Sequence, residues 1–272
     1  GECMDLNHGT SLVAPVAISA AGYEGCQGAD IVVITAGSKQ RPGETRLDLV
    51  QRNVEVFKEI IPRIIKHASE SILLVVSNPM DILTYITLKI SGFSSGRVIG
   101  SGTVLDSSRF RYLISEHCRV DPRNVHAYII GEHGDTELPV WSHANIGGMV
   151  LAEYCPVCNN KCDYKNELSK IFEEVKNAAY EIIKAKGATY YAIALALVKI
   201  IASILRDENS VLPVSTLVSD YYGINDLCLS VPSIINRSGL SRILRLELSL
   251  IEQKQLKFSA ETMKSILKDI KL

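Results

Sequence analysis

The chain has 272 residues, 47% of them hydrophobic and 22% charged, enough apolar material to core one large or two ordinary domains. Its 29 Lys and Arg against 30 Asp and Glu leave a net charge of −1, with the basic residues scattered, so no field for a nucleic-acid partner is present. The longest apolar run, TYYAIALALVKIIASIL, is interrupted by Lys199 and ended by Arg206, which argues against a membrane span and for a buried helix.

The opening GECMDLNHG reads as the end of an amphipathic helix already under way. Apolar runs then alternate with helical patterns. PVAIS (15–19) and DIVVITAG (30–37) read as strands, followed by a polar loop and a helix over 47–67. SILLVVSN (71–78) precedes a helix over 81–89, RVIGSG (97–102) precedes the helix of SSRFRYLISEHC (107–118), and NVHAYII (124–130) closes the series. Continuous β-branched strands, each followed by a helix, predict a parallel sheet covered on both faces, a doubly wound α/β domain.

The second half predicts long helices over 164–186 and 189–206, strands over 213–222, 228–235 and 243–249, and a last helix from 250 to the end. Turn signals YGIND and NRSGL between the strands predict an antiparallel sheet packed by helices. The expected division is 1–102 for the doubly wound domain and 103–272 for an α+β domain, packed without a long linker and leaving a cleft between them. No glycine triplet has the GxGxxG spacing between a strand and a helix, so the first domain is expected to be N-terminally incomplete.

Seven cysteines without a signal peptide predict a reducing, cytoplasmic setting rather than a disulfide framework. Cys155, Cys158 and Cys162 are spaced like metal ligands, yet neither a second CxxC nor a nearby histidine supplies the fourth. They are read as thiols on a loop, and no metal is expected.

Four polar clusters fall at predicted strand ends, where open α/β sheets bind ligands: ITAGSKQRPGETR (34–46), SNPMD (77–81), LDSSRFR (105–111) and GEHGD (131–135). Singly each has an ordinary reading. Asp81 and Asp106 suit helix starts, and His133 suits a solvated turn. In this order, with MDLNHG before them and KGATYYAIA and LSVPSII after, they resemble the lactate/malate dehydrogenase family over the whole chain, on its L-lactate-specific branch. That resemblance implies a Rossmann-like dinucleotide-binding domain followed by a catalytic domain.

The resemblance implies that His133 is the proton donor and acceptor, a role suited to an imidazole with an ordinary pKa of about 6.5. Asp106 would orient and stabilise its ring, and Arg109 would clamp the substrate carboxylate through parallel hydrogen bonds. Arg46 would polarise the reacting carbonyl when the preceding loop closes; Asn78 would bond the same oxygen, and Thr189 would line the substrate pocket. Gln40 stands where malate-specific relatives carry an arginine, which implies pyruvate and L-lactate rather than a dicarboxylate. The neighbouring Lys39 and Arg41 would supply a cation if the loop shifted by one residue, so malate or another 2-hydroxy acid is the alternative substrate.

Gly37 and Ser38 match positions near the pyrophosphate of NAD; Val76, Asn78 and Ser101 match its nicotinamide side. Arg111 and His126 match an allosteric pair that binds fructose 1,6-bisphosphate in many bacterial relatives. A homotetramer is the family's usual assembly. The missing glycine-rich turn also leaves a second expectation, a non-catalytic fragment that does not bind dinucleotide.

Overall fold

The computed structural model describes residues 1–38, 46–155 and 164–270. Helix α1 (Glu2–His8) opens the chain. The run at 15–19 is not a strand but an exposed connection. Pro15 lacks a ladder N–H, and no neighbouring strand pairs with the segment.

Strand β1 (Ile31–Ile34), helix α2 (Arg46–His67), strand β2 (Ile72–Val75), helix α3 (Met80–Ser91) and strand β3 (Val98–Gly100) form the parallel part of the sheet. Ile31 pairs with Ile72 and Leu73 with Val98. In α2, Val50, Val54, Phe57, Ile61 and Ile64 recur at helical spacing and are all buried against the sheet. Helix α3 is apolar on nearly every side because it is sunk in the molecule; Gly92, at φ 66°, ends it in the left-handed region.

Helix α4 (Val104–Cys118) leads into strands β4 (Val125–His126), β5 (Ile129–Ile130), β6 (Leu138–Pro139), β7 (Asn145–Ile146) and β8 (Met149–Val150). Helices α5 (Leu151–Tyr154), α6 (Tyr164–Lys186) and α7 (Tyr191–Leu205) follow. Strands β9 (Ser210–Val218), β10 (Leu227–Asn236) and β11 (Gly239–Ile243) and helix α8 (Leu250–Lys268) complete the described chain. The predicted strand at 243–249 is displaced to β11. Pairing of Asn236 with Gly239 fixes the hairpin register, and past Ile243 the facing residue is Pro232, which has no N–H to donate. The segment beyond is held instead by Tyr222, whose hydroxyl donates to the Leu246 carbonyl at 2.6 Å.

The antiparallel strands extend the parallel ones into one six-stranded sheet, ordered β1-β2-β3-β9-β10-β11. β3 meets β9 through the pair Gly100 and Ser215. Gly100 permits this junction: a Cβ there would lie 2.3 Å from Met80 Sδ and 2.9 Å from Ser215 Cβ. α3 therefore rests directly on the strand. No described helix is long and apolar enough to cross a membrane.

Candidate active site

The Asn78–Pro79 bond is cis, and α3 begins immediately after it. Asp106 lies in the first turn of α4 but is not its cap, since Thr103 occupies that position. Its carboxylate, 3% exposed, is committed on both oxygens. His133 Nδ1 lies 2.6 Å from Oδ2, and Arg109 donates to Oδ1 at 2.8 Å. A carboxylate accepts only, so Nδ1 carries the proton and Nε2 is left for a second partner.

Electrostatics reinforce the couple. Burial works against a charged His133, but the charge and hydrogen bond of Asp106, with smaller contributions from Asp81 and Glu137, push its pKa up to about 9. Burial likewise disfavours the Asp106 carboxylate; His133 and Arg109 outweigh it and hold the group below its ordinary value. The imidazole remains partly open, at 28% exposure, so it is held without being sealed off.

These side chains face a cleft of about 560 Å³. It brings together Asn78, Asp106, Arg109 and His133, with Glu137 behind them and Tyr180 of α6 across from them. Asp106, His133 and Glu137 also carry donor atoms within 4.8 Å of one another. Nδ1 and Oδ2 are already spent on each other, so the geometry is that of an imidazole–carboxylate couple rather than a cation cradle.

Among the described residues, Gly37, Ser38, Val76, Ser101 and Thr189 lie outside the lining of this cleft. Val76 donates its N–H to Ile34 at 3.0 Å, Ser101 donates to Val75 at 2.8 Å, and Gly37 is exposed beyond the end of β1. All three lie just past the ends of β1, β2 and β3, the crevice where a doubly wound sheet takes a dinucleotide. A Cβ on Gly37 would make an ordinary contact with Ser77 at 3.5 Å, so space alone does not require glycine there. The expectation from the sequence is the pyrophosphate for Gly37 and the nicotinamide side for Val76 and Ser101. Thr189 is half-buried just before α7. Gln40 lies outside the described residues, as do Cys158 and Cys162, while Cys155 is buried. Arg46 is the first residue of α2, and its side chain is outside the described set.

Arg111 donates Nε–H to the Ala127 carbonyl at 2.9 Å and lies over the Tyr128 ring at 5.2 Å, beside exposed His126 on β4. Burial lowers the Arg111 pKa.

Two participants were not legible in the motifs. Asn53 of α2, 1% exposed, accepts from the Ser38 N–H at 2.8 Å and donates to the Asn78 carbonyl at 2.8 Å, clasping the two loops together. Its only sequence signal was a polar residue interrupting the buried stripe of α2. Glu137 is 7% exposed, its Oε1 has no hydrogen-bond partner among the described residues, and burial pushes its pKa up to about 8. An acid two residues after GEHGD reads in sequence as a solvated loop residue.

Residues 1–100 match the family model for the lactate/malate dehydrogenase NAD binding domain, and residues 103–271 match that for the lactate/malate dehydrogenase alpha/beta C-terminal domain. An L-lactate dehydrogenase of Acetivibrio thermocellus is 56% identical over 270 residues, 99% of this chain and 85% of the relative. L-lactate dehydrogenase 1 of Clostridium acetobutylicum is 53% identical, over 99% of this chain and 86% of its own. Among solved structures, a lactate dehydrogenase from a Medee basin deep-sea metagenome library superposes with a TM-score of 0.95 at 44% identity, covering 98% of this chain and 85% of that one. A minor L-lactate dehydrogenase from Enterococcus mundtii, in a ligand-bound form, gives 0.94 at 41% identity, covering all of this chain and 86% of its own.

Proposed function

The chain belongs to the lactate/malate dehydrogenase family and acts as an NAD-dependent L-lactate dehydrogenase, and on that premise we propose how its residues divide the reaction. His133 is the proton donor for pyruvate and the acceptor for L-lactate. Nδ1–H is committed to Asp106 at 2.6 Å, so the proton that moves is the one on Nε2. Asp106 fixes the tautomer and stabilises the imidazolium.

Arg109 holds the substrate carboxylate. Asp106 uses one of its guanidinium nitrogens, at 2.8 Å, and steadies the fork while leaving other N–H groups for the substrate. Asn78 donates its side-chain amide to the reacting oxygen, and Arg46, brought in from the start of α2, polarises the carbonyl. Thr189 borders the substrate, and Gln40, being neutral, disfavours a second carboxylate. Gly37, Ser38, Val76, Asn78 and Ser101 receive the dinucleotide, whose nicotinamide C4 supplies or takes the hydride when bound. The substrate side occupies 103–272 and the dinucleotide side 1–102.

The observation that carries this reading is the convergence of His133, Asp106, Arg109 and Asn78 on one cleft. Its test is NADH consumption with pyruvate against oxaloacetate, in the wild type and in His133→Gln. Pyruvate should be the better substrate, and the variant should lose about 10²–10⁴-fold in kcat. A variant as active as wild type, or a preference for oxaloacetate, would overturn the assignment.

The protein works as a cytoplasmic homotetramer. The support is an apolar face on α7 carrying Tyr191, Leu195 and Val198, exposed at 73%, 70% and 61% in the single chain. Fructose 1,6-bisphosphate activates it through Arg111 and His126, two groups able to bear positive charge on adjoining elements.

A further inference from the structure

His133 is held from two sides. Asp106 takes its ring, and its backbone N–H donates to Asp81 Oδ2 at 2.7 Å. Asp81, in the first turn of α3, is 2% exposed. Its other oxygen accepts from Ser215 of β9 at 2.6 Å and, at longer range, from Ser230 of β10 at 3.4 Å. A carboxylate satisfied by donors from three elements sits behind the GEHGD loop and joins it to the helix that follows Asn78.

We propose that Asp81 is a positioning residue for the proton transfer: it anchors the His133 backbone, and its buried negative charge favours the imidazolium that donates to pyruvate. The proposal rests on the assignment of His133 as the acid/base.

The alternative, a purely structural brace, requires only the hydrogen bonds. Charge enters because, among the described residues, His133 is the one group facing Asp81 that can become a cation. The groups facing Asp81 are Glu132 and His133 of the loop, the two serine hydroxyls and the Cys228 thiol of β10. Facing His133 are Asp106, Asp81 and Glu137, with Arg109 next to Asp106. Burial raises the Asp81 pKa to about 6 although Ser215 and the His133 N–H both oppose the rise, so at neutral pH the group is mainly ionised but has little margin.

Asp81→Asn keeps the size and one acceptor oxygen and removes the charge. The alkaline limb of kcat/KM for pyruvate reduction should move about 0.5–1 pH unit lower, and the pH dependence of diethyl pyrocarbonate acylation of His133 should move with it. A lowered Tm with both profiles unmoved would mean a brace only and would overturn the proposal. His133→Gln is measured in parallel. If it remains active, the acid/base assignment itself fails; if it is inactive while the Asp81→Asn limb stays in place, only the present inference fails. Should Asp81→Asn not fold, the wild type still decides by amide NMR. The His133 N–H resonance should shift upfield as pH falls through about 6, as its carboxylate acceptor is neutralised, and a flat response between pH 5 and 7 would sink the idea.

Discussion

At the scale of single residues, the proposed assignment makes the protonation of His133 govern direction. Its pKa of about 9, raised from 6.5, keeps the ring protonated well above neutrality in the unliganded protein. Initial rates of pyruvate reduction should therefore hold to about pH 8 and fall through 9. L-lactate oxidation, which needs the neutral ring, should rise over the same interval; parallel profiles in the two directions would contradict the assignment. The stability contribution has a definite sign. A folded pKa above the unfolded one means that the His133–Asp106 couple stabilises fully below pH 6.5 and loses that contribution as pH rises through 9. His133, Asp106 and Arg109 were legible through the resemblance that GEHGD and LDSSRFR carry together, since singly each motif has an ordinary reading. Asn53 and Asp81 were harder to see: each acts through partners that lie far along the chain, and an isolated polar residue in a helix carries no mark of what it will meet.

At the scale of elements, the α8 start is fixed by a reciprocal cap. Ser249 Oγ accepts from the Glu252 N–H at 3.3 Å, and Glu252 Oε2 accepts from the Ser249 N–H at 2.8 Å. Glu252 also accepts from the backbone and hydroxyl of Ser142, at 2.9 and 2.6 Å, so the cap doubles as a tie to the loop after β6. Ser249→Ala should cost about 1 kcal/mol, read as a lower midpoint in urea, whereas Glu252→Ala should cost about 1.5–3 kcal/mol because it removes a buried carboxylate that accepts from Ser142 and Ser249. Burial pushes the Glu252 pKa up, but these bonds outweigh it and hold the group below 4.5, so this stabilisation is present above pH 4.5 and declines under acid. The apolar runs of β2, β9 and β10 were readable because largely buried strands tolerate little else, and β1 carries the same kind of run although Val33 is exposed. The strand misplaced at 243–249 had the right alternation. What alternation does not encode is the partner: Pro232 on the facing strand accepts from the Leu244 N–H at 2.8 Å but has no N–H to return, and the strand ends there.

At the scale of the whole molecule, the apolar face of α7 predicts assembly. Leu195→Glu, at a position 70% exposed in the single chain, should leave the fold intact by circular dichroism and reduce the oligomer to smaller species in sedimentation velocity. Unchanged sedimentation would place the interface elsewhere. The pattern of strands and helices announced the doubly wound layer, but not that the later antiparallel strands would extend the same sheet, since pairing between Gly100 and Ser215 leaves no local trace in either segment. That junction also sets a mechanical tolerance. With no side chain at 100 between strand and helix, the first turn of α3 has no slack, so the reach of Asp81 to the His133 amide is gauged from the sheet itself. The backbone of His133 is thus referred, through Asp81, to the central sheet across a contact that only a missing Cβ permits.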